Sequence, residues 1–395
     1  MNKKVLLISQ YFLPDINAAS FRIKDLYNAL EKENFDISVV TANPQKSSVE
    51  NIIQSKNIHR IKLEKVNKKS FINYLRNYFG FMFKSIFYSL FKLNKKKYYY
   101  VFVTSPPLFV ALGGLIISKI KRTKLIVDIR DIWPDSAVSA GMLKDNGLLY
   151  KMTKIVERFI YNNADIITCV SEPMRDYIYH YSGKENIYVL YNGISLESIQ
   201  SEIKPKELIE SNNEKITVGY AGNIGIVQNI NILIEANMIL NKNNQDQNFE
   251  FIIIGDGIER KALEKRVSEL DMKNIVFKGT LTKEDTIKEL YNVDLLFLSL
   301  IEDPVFEKTI PSKLFDYLLN NKPIITSIKG EGKRILEHLN CALFFNPSKP
   351  ESLVQELVRY KQLKKDLDHR ANYNREYVVG NFNREKIFSE FLQQL

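Results

Sequence analysis

Short apolar runs alternate with amphipathic segments along most of this chain. In the first half, the runs that predict buried strands are Lys4–Ser9, Phe35–Thr41, Ile58–Leu63, Tyr99–Thr104, Leu125–Asp128, Asp165–Val170 and Tyr188–Tyr191. Helical periodicity between them predicts helices near 21–33, 70–94, 108–120, 146–162 and 172–180. Strands that alternate with helices indicate a parallel, doubly wound α/β sheet.

A polar stretch, residues 195–215, interrupts this alternation and is typical of a linker. Strands are then predicted at Ile216–Ala221, Phe249–Ile254, Ile275–Lys278, Asp294–Leu300 and Pro323–Thr326, and helices near 230–240, 258–270, 283–291, 311–320, 331–338 and 350–367. We therefore expect two Rossmann-like domains, 1–198 and 208–377, that face each other across a cleft. Ligands of such sheets bind outside the carboxyl ends of the strands.

Charge and cysteine content narrow the class of protein. The net charge is +10, and residues 51–100 alone hold twelve Lys and Arg against one acid, Glu64. Basic charge confined to one segment argues against a nucleic-acid binder. Two separated cysteines and four scattered histidines predict neither disulfides nor a metal site. The first apolar run is too short for a signal peptide, so we expect a cytoplasmic protein.

The basic segment is also rich in aromatic residues. Residues 71–100 contain twelve Phe and Tyr side chains, interleaved with Lys and Arg. An apolar, aromatic helix with basic flanks is typical of a membrane interface. The alternative is a core helix that packs on the sheet, but packing alone does not explain the shortage of acids. We predict that residues 68–100 contact the inner face of the cell membrane.

The segment Phe306–Ile325 carries the most specific chemistry. A helix should begin at Pro311 and Ser312, since Pro fits a first turn and Ser caps it. Free N–H groups at a helix start attract phosphate, and Lys313 adds a cation there. Asp316, one turn further, can accept hydrogen bonds from sugar hydroxyls. Taken alone, the segment is better explained by an ordinary helix start with a surface lysine, and it is the other features of the chain that favour a binding site.

Three further strand ends in the second half carry candidate binding residues. Gly222 and Asn223 leave backbone N–H groups open to a phosphate. Gly255 leaves room for a base or a ribose, and backbone groups at Phe277 and Lys278 can contact a base edge. Tight turns are the alternative for both glycines.

In the first half, Arg130 and Asp131 follow a predicted strand and precede the only tryptophan, Trp133. Charge at such a strand end is costly unless it is paired or functional. We predict a catalytic role for both residues, with a structural Arg130–Asp131 pair as the alternative.

A second loop of the first half opens the helix that carries Arg22. It contains Ala18, Ala19 and Ser20, whose small side chains let a ligand approach the backbone closely. We predict that these four residues bind substrate, and a plain turn between strand and helix is the alternative.

Motifs of other enzyme classes are missing. The chain has no phosphate-binding loop of an NTPase and no Gly-x-Gly-x-x-Gly after its first strand. It also has no Gly-x-Ser-x-Gly elbow of a hydrolase.

Eight segments occur in one characteristic order: YFLPDINAAS, DIRDIWPDS, ADIITCVSEPMRDYI, YNGIS, GYAGNIG, IIIGDGIER, FKGTLTKED and TIPSKLFDYLLNNKPII. Together they resemble the family 4 glycosyltransferases of GT-B fold, in particular the bacterial polysaccharide branch similar to WbuB-type and colanic-acid-type enzymes. The resemblance implies sugar transfer from a UDP-sugar to a lipid-diphosphate-linked sugar, with retention of configuration and without metal or other cofactor. The transferred sugar would be an N-acetylated amino sugar or a deoxy sugar. It further implies that a tail helix, 378–395, returns to the first domain.

The resemblance also assigns roles to single positions. Asp316 matches the second acid of the family's E-x7-E pattern, which holds the ribose, and Ser312 and Lys313 match the loop that faces the diphosphate. Gly222 and Asn223 match a glycine-plus-basic step beside the phosphates.

The chain departs from the family pattern at several of these positions. Lys308, with Glu307 beside it, stands where the first acid of that pattern is expected. Asn223 and Gln228 replace the usual basic pair, and Arg130 replaces a histidine. Ala18 and Ala19 stand where many members have glycines. These departures make Lys313 the expected source of phosphate-binding charge.

Two other functions remain open from the sequence. A nucleotide-sugar epimerase of similar shape would need more acid and base residues at the strand ends. A membrane-associated scaffold, derived from a transferase that has lost activity, would explain the altered E-x7-E pattern.

Overall fold

The computed structural model describes residues 3–15, 17–44, 56–64, 71–93, 97–195, 197 and 215–395. The chain divides into two compact units, the first formed by Met1–Ser195 with Arg384–Leu395 and the second by Leu196–Asn383. Most of the predicted linker lies outside the described residues, as do Lys95 and Lys96 of the basic segment.

The first unit is a parallel sheet with helices between its strands. Its strands are β1 (Lys4–Ile8), β2 (Asp36–Ala42), β3 (Ile58–Ile61), β4 (Tyr100–Ser105), β5 (Lys124–Ile129), β6 (Ile166–Cys169) and β7 (Ile187–Val189). Its helices are α1 (Ala18–Lys32), α2 (Phe71–Phe87), α3 (Leu108–Lys121), α4 (Asp135–Ser139), α5 (Leu148–Asn163) and α6 (Glu172–Ser182). A π-helical turn, Tyr88–Lys92, extends α2.

The strand order of this sheet is β3-β2-β1-β4-β5-β6-β7, and all pairings are parallel. The order reverses between β1 and β4, which is the switch point where such sheets bind ligands. The strands are apolar on both faces because helices cover both, and this explains their continuous hydrophobic runs.

The second unit repeats this architecture. Its strands are β8 (Ile216–Ala221), β9 (Phe249–Ile254), β10 (Ile275–Gly279), β11 (Leu295–Leu298), β12 (Ile324–Thr326) and β13 (Ala342–Phe344), in the order β10-β9-β8-β11-β12-β13. Its helices are α7 (Asn231–Lys242), α8 (Arg260–Glu269), α9 (Lys283–Tyr291), α10 (Pro304–Glu307), α11 (Ser312–Leu318), α12 (Gly330–Leu339), α13 (Pro350–Ala371) and α14 (Asn374–Asn381). Its switch point lies between β8 and β11.

The last helix, α15 (Arg384–Leu392), belongs to the first unit. It packs against α1, and Phe388, Phe391 and Leu392 join the core beside that helix. The predicted return of the chain to the first domain is confirmed for Arg384–Leu395, whereas residues 378–383 of the predicted tail helix belong to the second unit. The two-domain α/β prediction is confirmed as well.

Short elements account for most of what the sequence missed. Strand β13 has three residues, and α4 and α10 have five and four. Segments of this length show too little periodicity to predict a regular element.

Candidate functional site

Two loops at the carboxyl edge of the second sheet meet at its switch point. Gly222 follows β8 directly, and Lys313 is the second residue of α11, which follows β11 in the chain after the short helix α10. Lys313 Nζ lies 4.1 Å from the centre of the Tyr220 ring and donates a hydrogen bond to the Tyr220 hydroxyl. Tyr220 donates in turn to the carbonyl oxygen of Asn223. The fold thus brings together Gly222, Asn223 and Lys313, which the sequence predicted as separate pieces of one site.

Lys313 is a partly buried cation whose hydrogen bond goes to a neutral group. Burial lowers the pKa of Lys313 to about 7, against the attraction of the Asp316 carboxylate, which is exposed. Among the described ion pairs there is none that includes Lys313. An ammonium that loses water without gaining a close carboxylate is unfavourable. An anionic ligand group is the partner that this position favours.

Two glycines permit the close packing of these loops. Gly222 has φ +144°, and a Cβ built there would lie 2.1 Å from Cε of Lys313. Gly255 has φ +132°, and its Cβ would lie 1.9 Å from the carbonyl oxygen of Gly222. Both φ values are ones that other residues rarely adopt. At Gly255 a side chain would also clash with the backbone of Gly222, whereas at Gly222 it would displace the end of the Lys313 side chain.

Other predicted residues of the second unit lie at the same sheet edge with partners of their own. Asn223 Nδ2 donates to Gln228 Oε1 at 3.0 Å. Lys278 Nζ lies 2.7 Å from Glu289 Oε2, and the side chain of Phe277 packs against the core.

The remaining predictions for this unit fall on α10 and α11. The predicted cap was wrong: Pro311 is the N-cap of α11, without a side-chain hydrogen bond, and Ser312 is the first residue of the helix. The Glu307 carboxylate lies 3.7 Å from Lys329 Nζ. The structure therefore places Glu307 in a surface ion pair, one loop away from Lys313.

Sequence reasoning missed two tyrosines of this site, Tyr220 and Tyr317. The Tyr317 hydroxyl accepts a hydrogen bond from the N–H of Ala221 at 3.0 Å, and burial raises the pKa of both tyrosines. Their position inside apolar segments could have indicated them, because the hydroxyl of a buried tyrosine needs a polar partner nearby.

In the first unit, Arg22 lies in the core. Its Nε and Nη2 donate to the Asp128 carboxylate at 3.0 and 2.8 Å, and Nη1 and Nη2 also donate to main-chain carbonyls. The Thr168 hydroxyl donates to the same carboxylate at 2.7 Å. Burial alone would raise the pKa of Asp128, but the Arg22 guanidinium holds it below its usual value. The guanidinium of Arg22 is thus engaged inside the unit.

Arg130 and Asp131 have different partners from each other. Arg130 Nη2 donates to the carbonyl of Pro106 at 2.9 Å, and its Nε lies 4.0 Å from Asp128. Burial lowers the pKa of Arg130 to about 10. Asp131 accepts a hydrogen bond from the Ser136 hydroxyl at 2.7 Å, and burial raises its pKa. The ion pair of Arg130 is formed with Asp128 and not with Asp131.

The small residues of the first loop begin α1. Ala18 is exposed and Ser20 is buried, with Ala19 between them. Asn17 caps the helix, since its side chain accepts a hydrogen bond from the N–H of Ser20 at 3.0 Å. Ala18 is therefore the most exposed of these three small residues.

Comparison with known proteins decides the family. Residues 19–198 match the model described as Glycosyltransferase Family 4, and residues 201–377 match Glycosyl transferases group 1. The chain belongs to the family 4 glycosyltransferases of GT-B fold. An uncharacterized glycosyltransferase of Methanocaldococcus jannaschii is 22% identical over 98% of this chain and 97% of its own.

Solved glycosyltransferases share its fold. HepE of Anabaena in complex with UDP and glucose superposes with a TM-score of 0.72, at 15% identity over 100% of this chain and 99% of HepE. WaaG, a glycosyltransferase involved in lipopolysaccharide biosynthesis, gives a TM-score of 0.70 at 11% identity, over 99% of each chain.

Two features are absent from the described residues of this glycosyltransferase. No three His, Cys, Asp or Glu side chains there are grouped so as to hold a metal ion. No helix in the same part of the chain is both long and apolar enough to cross a membrane.

Proposed function

We propose that this glycosyltransferase moves a sugar from a UDP-sugar to a lipid-diphosphate-linked sugar in polysaccharide synthesis, with retention of configuration and without a metal. The transferred sugar is an N-acetylated amino sugar or a deoxy sugar. The observation that carries the proposal is the partly buried Lys313 ammonium over Gly222, since it offers an anion site at the switch point of the second sheet. The UDP bound to HepE and the involvement of WaaG in lipopolysaccharide biosynthesis support the choice of donor and pathway class.

In this mechanism Lys313 stabilises the charge of the departing diphosphate. The bond between the anomeric carbon of the donor sugar and the diphosphate oxygen breaks. The acceptor hydroxyl oxygen then forms a bond to that carbon, on the face from which the diphosphate departs. A diphosphate oxygen takes the proton of that hydroxyl. A preorganised ammonium in a site of low polarity stabilises the developing negative charge more than water does. Asp316 holds the ribose, and Asn223, Gly255, Phe277 and Lys278 contact the rest of the nucleotide.

The first unit supplies the acceptor side in this proposal. Arg130 and Asp131 are half-buried charges at the carboxyl end of β5, and Ala18 is exposed at the start of α1. We place the acceptor against these groups. Arg22 acts there as a positioning residue, because its guanidinium fixes Asp128, the ion-pair partner of Arg130.

The predicted membrane contact lies on α2 and its π-helical turn. Four phenylalanines there, Phe79, Phe83, Phe87 and Phe91, share one face and are between 37% and 63% exposed. We call this set the α2 stripe. An exposed aromatic stripe with basic neighbours lies in a membrane interface more favourably than in water. We propose that it holds the enzyme on the inner face of the cell membrane.

Replacing Phe83 and Phe87 together by glutamine should weaken binding to vesicles by about tenfold, since each removes apolar area from the interface. Flotation with phosphatidylglycerol-containing vesicles measures this binding. Tyr373→Gln is the control, because Tyr373 is similarly exposed but lies in the second unit. Equal binding of the variant and the wild type to vesicles would show that the α2 stripe does not contact the membrane.

Gly222→Ala should weaken UDP binding by about tenfold or more, because the new methyl group displaces the Lys313 side chain and the φ value is strained for alanine. Calorimetric titration with UDP measures the loss. Gly380→Ala is the matched control, since no atom lies within 4 Å of a Cβ at that position. Unchanged UDP affinity in Gly222→Ala would place the diphosphate elsewhere.

A measurement of sugar transfer distinguishes an active transferase from an inactive scaffold, the alternative that the altered E-x7-E pattern suggests. Release of UDP from a panel of UDP-sugars, on addition of lipid-diphosphate-linked sugars in the presence of EDTA, should be seen for at least one pair. Binding of UDP without any release would favour a scaffold that has lost activity.

A further inference from the structure

A second apolar stripe lies on α5, outside the segment whose membrane contact is proposed above. Leu148, Met152, Ile155 and Phe159 recur at intervals of three and four residues, which places them on one helix face. Each is between 52% and 78% exposed. We call this set the α5 stripe. Four large apolar side chains in a row on a solvent-facing helix are unusual for a surface that contacts only water.

The α2 and α5 stripes belong to one layer of helices. Helix α3 packs against both α2 and α5. Gly113 allows the close approach of α2, since a Cβ there would lie 3.1 Å from Met82 of that helix. The other side of α3 packs on the sheet, where Gly114 faces Val103 of β4. The layer therefore covers one face of the sheet, and both stripes lie on it.

The charge of this layer is of one sign. The chain has no Asp or Glu from Lys65 to Val127, a range that includes all of α2 and α3. Several exposed side chains on these helices and the adjoining π-helical turn are basic: Arg76, Lys84, Lys92, Lys119, Lys151 and Arg158. Two more exposed basic residues, Arg122 and Lys124, lie between the end of α3 and the start of β5. The one acid of α5, Glu157, is buried and paired with Lys154 at 2.6 Å. An apolar and basic face without exposed acids on its helices is complementary to an anionic lipid surface.

A protein partner or a second copy of this chain fits the layer less well. Like charges on two copies of so basic a face would oppose each other, and the helices α2, α3 and α5 expose no acid that could pair with them. An anionic bilayer satisfies both features at once, because its headgroups neutralise the basic side chains and its acyl region accepts the apolar ones.

We infer that the α5 stripe is a second membrane contact, so that the α2–α3–α5 layer lies against an anionic bilayer. This inference rests on the membrane role proposed for the α2 stripe. It extends that role to a helix some sixty residues later in the chain. Two contacts orient the first unit on the membrane, whereas a single helix leaves it free to tilt.

Vesicle flotation of the full-length protein tests the α5 contact. The double variant Ile155→Gln with Phe159→Gln should bind phosphatidylglycerol-containing vesicles about tenfold more weakly than the wild type, since two apolar anchors are lost. Glutamine favours helices at least as well as the residues it replaces, so the melting temperature should not change. Tyr373→Gln serves again as the exposed control, and vesicles of phosphatidylcholine alone should bind every protein weakly.

Three other outcomes would contradict the proposed membrane contact of the α5 stripe. If the α5 variant binds vesicles like the wild type while the α2 variant does not, the α5 contact is wrong and the membrane role of α2 stands. If the α5 variant changes only the oligomeric state in sedimentation experiments, a second copy covers the stripe. If the wild type does not bind anionic vesicles at all, both membrane proposals fail, whereas UDP binding and UDP release test the transferase proposal separately.

Discussion

Replacing Lys313 by methionine is expected to lower the rate of sugar transfer at saturating donor by about a hundredfold to a thousandfold, the range seen when one preorganised group is removed from a developing oxyanion. The methionine side chain keeps the length and the apolar contacts of the lysine stem over Tyr220. It removes only the ammonium. A steady-state assay of UDP release measures the change.

The same substitution should leave the protein as stable as the wild type, or more stable. A partly buried ammonium that forms no close ion pair costs free energy in the folded state, so its removal relieves a penalty. The pKa of Lys313 is about 7 in the folded protein and 10.5 ordinarily. Between these values the unfolded chain binds more protons, so wild-type stability rises with pH relative to the variant. A fall in melting temperature that parallels the loss of activity would show a structural lysine instead.

Protonation also links Lys313 to ligand binding. Since the pKa of Lys313 is about 7, half of the free protein has lost this proton at that pH, and affinity for a diphosphate should weaken as the pH rises through it. The affinity of Lys313→Met for UDP should not show this pH dependence. Any change with pH that remains in the variant comes from the ionisation of UDP itself, and it is subtracted from the wild-type profile.

Replacing Arg22 by methionine is expected to destabilise the first unit by about 3–5 kcal/mol, because removal of one partner leaves a buried charge uncompensated. Arg22 and Asp128 are only 2% and 1% exposed, and two hydrogen bonds join them directly. Urea unfolding followed by tryptophan fluorescence reports on this unit, since the single tryptophan, Trp133, lies within it.

Arg76→Met is the matched control for this prediction. Arg76 is an exposed arginine on a helix of the same unit, so its replacement should change the free energy of unfolding by about 0.5 kcal/mol or less. If Arg22→Met unfolds at the wild-type urea concentration but loses transfer activity, Arg22 binds substrate, as its sequence position suggested.

Most strands of both sheets were predictable because they lie within apolar runs of four residues or more between turn-forming residues. Strand β13 was not, since Ala342–Phe344 is too short to show a period. The location of the candidate site followed from Pro311, Ser312 and Lys313 after a buried strand.

Contacts between distant segments limited the prediction of the site. The position of the Lys313 side chain over Gly222 depends on its contact with Tyr220, which is 93 residues away in the chain. The sequence does not distinguish Tyr220 from an aromatic residue of the core. Arg22 stood beside small residues in the sequence, but its partner Asp128 is 106 residues further on. The α5 stripe has the apolar spacing of any amphipathic helix, and only the fold shows that this face is exposed.

Thermal unfolding of the wild type and Lys313→Met with UDP, GDP or ADP, in metal-free buffer, tests the central claim most directly. A ligand stabilises the folded state in proportion to its binding there. We predict that UDP raises the melting temperature of the wild type, that GDP and ADP do not, and that Lys313→Met loses the UDP response. No response of the wild type to any nucleotide, or an equal UDP response of both proteins, would contradict a donor site built on Lys313.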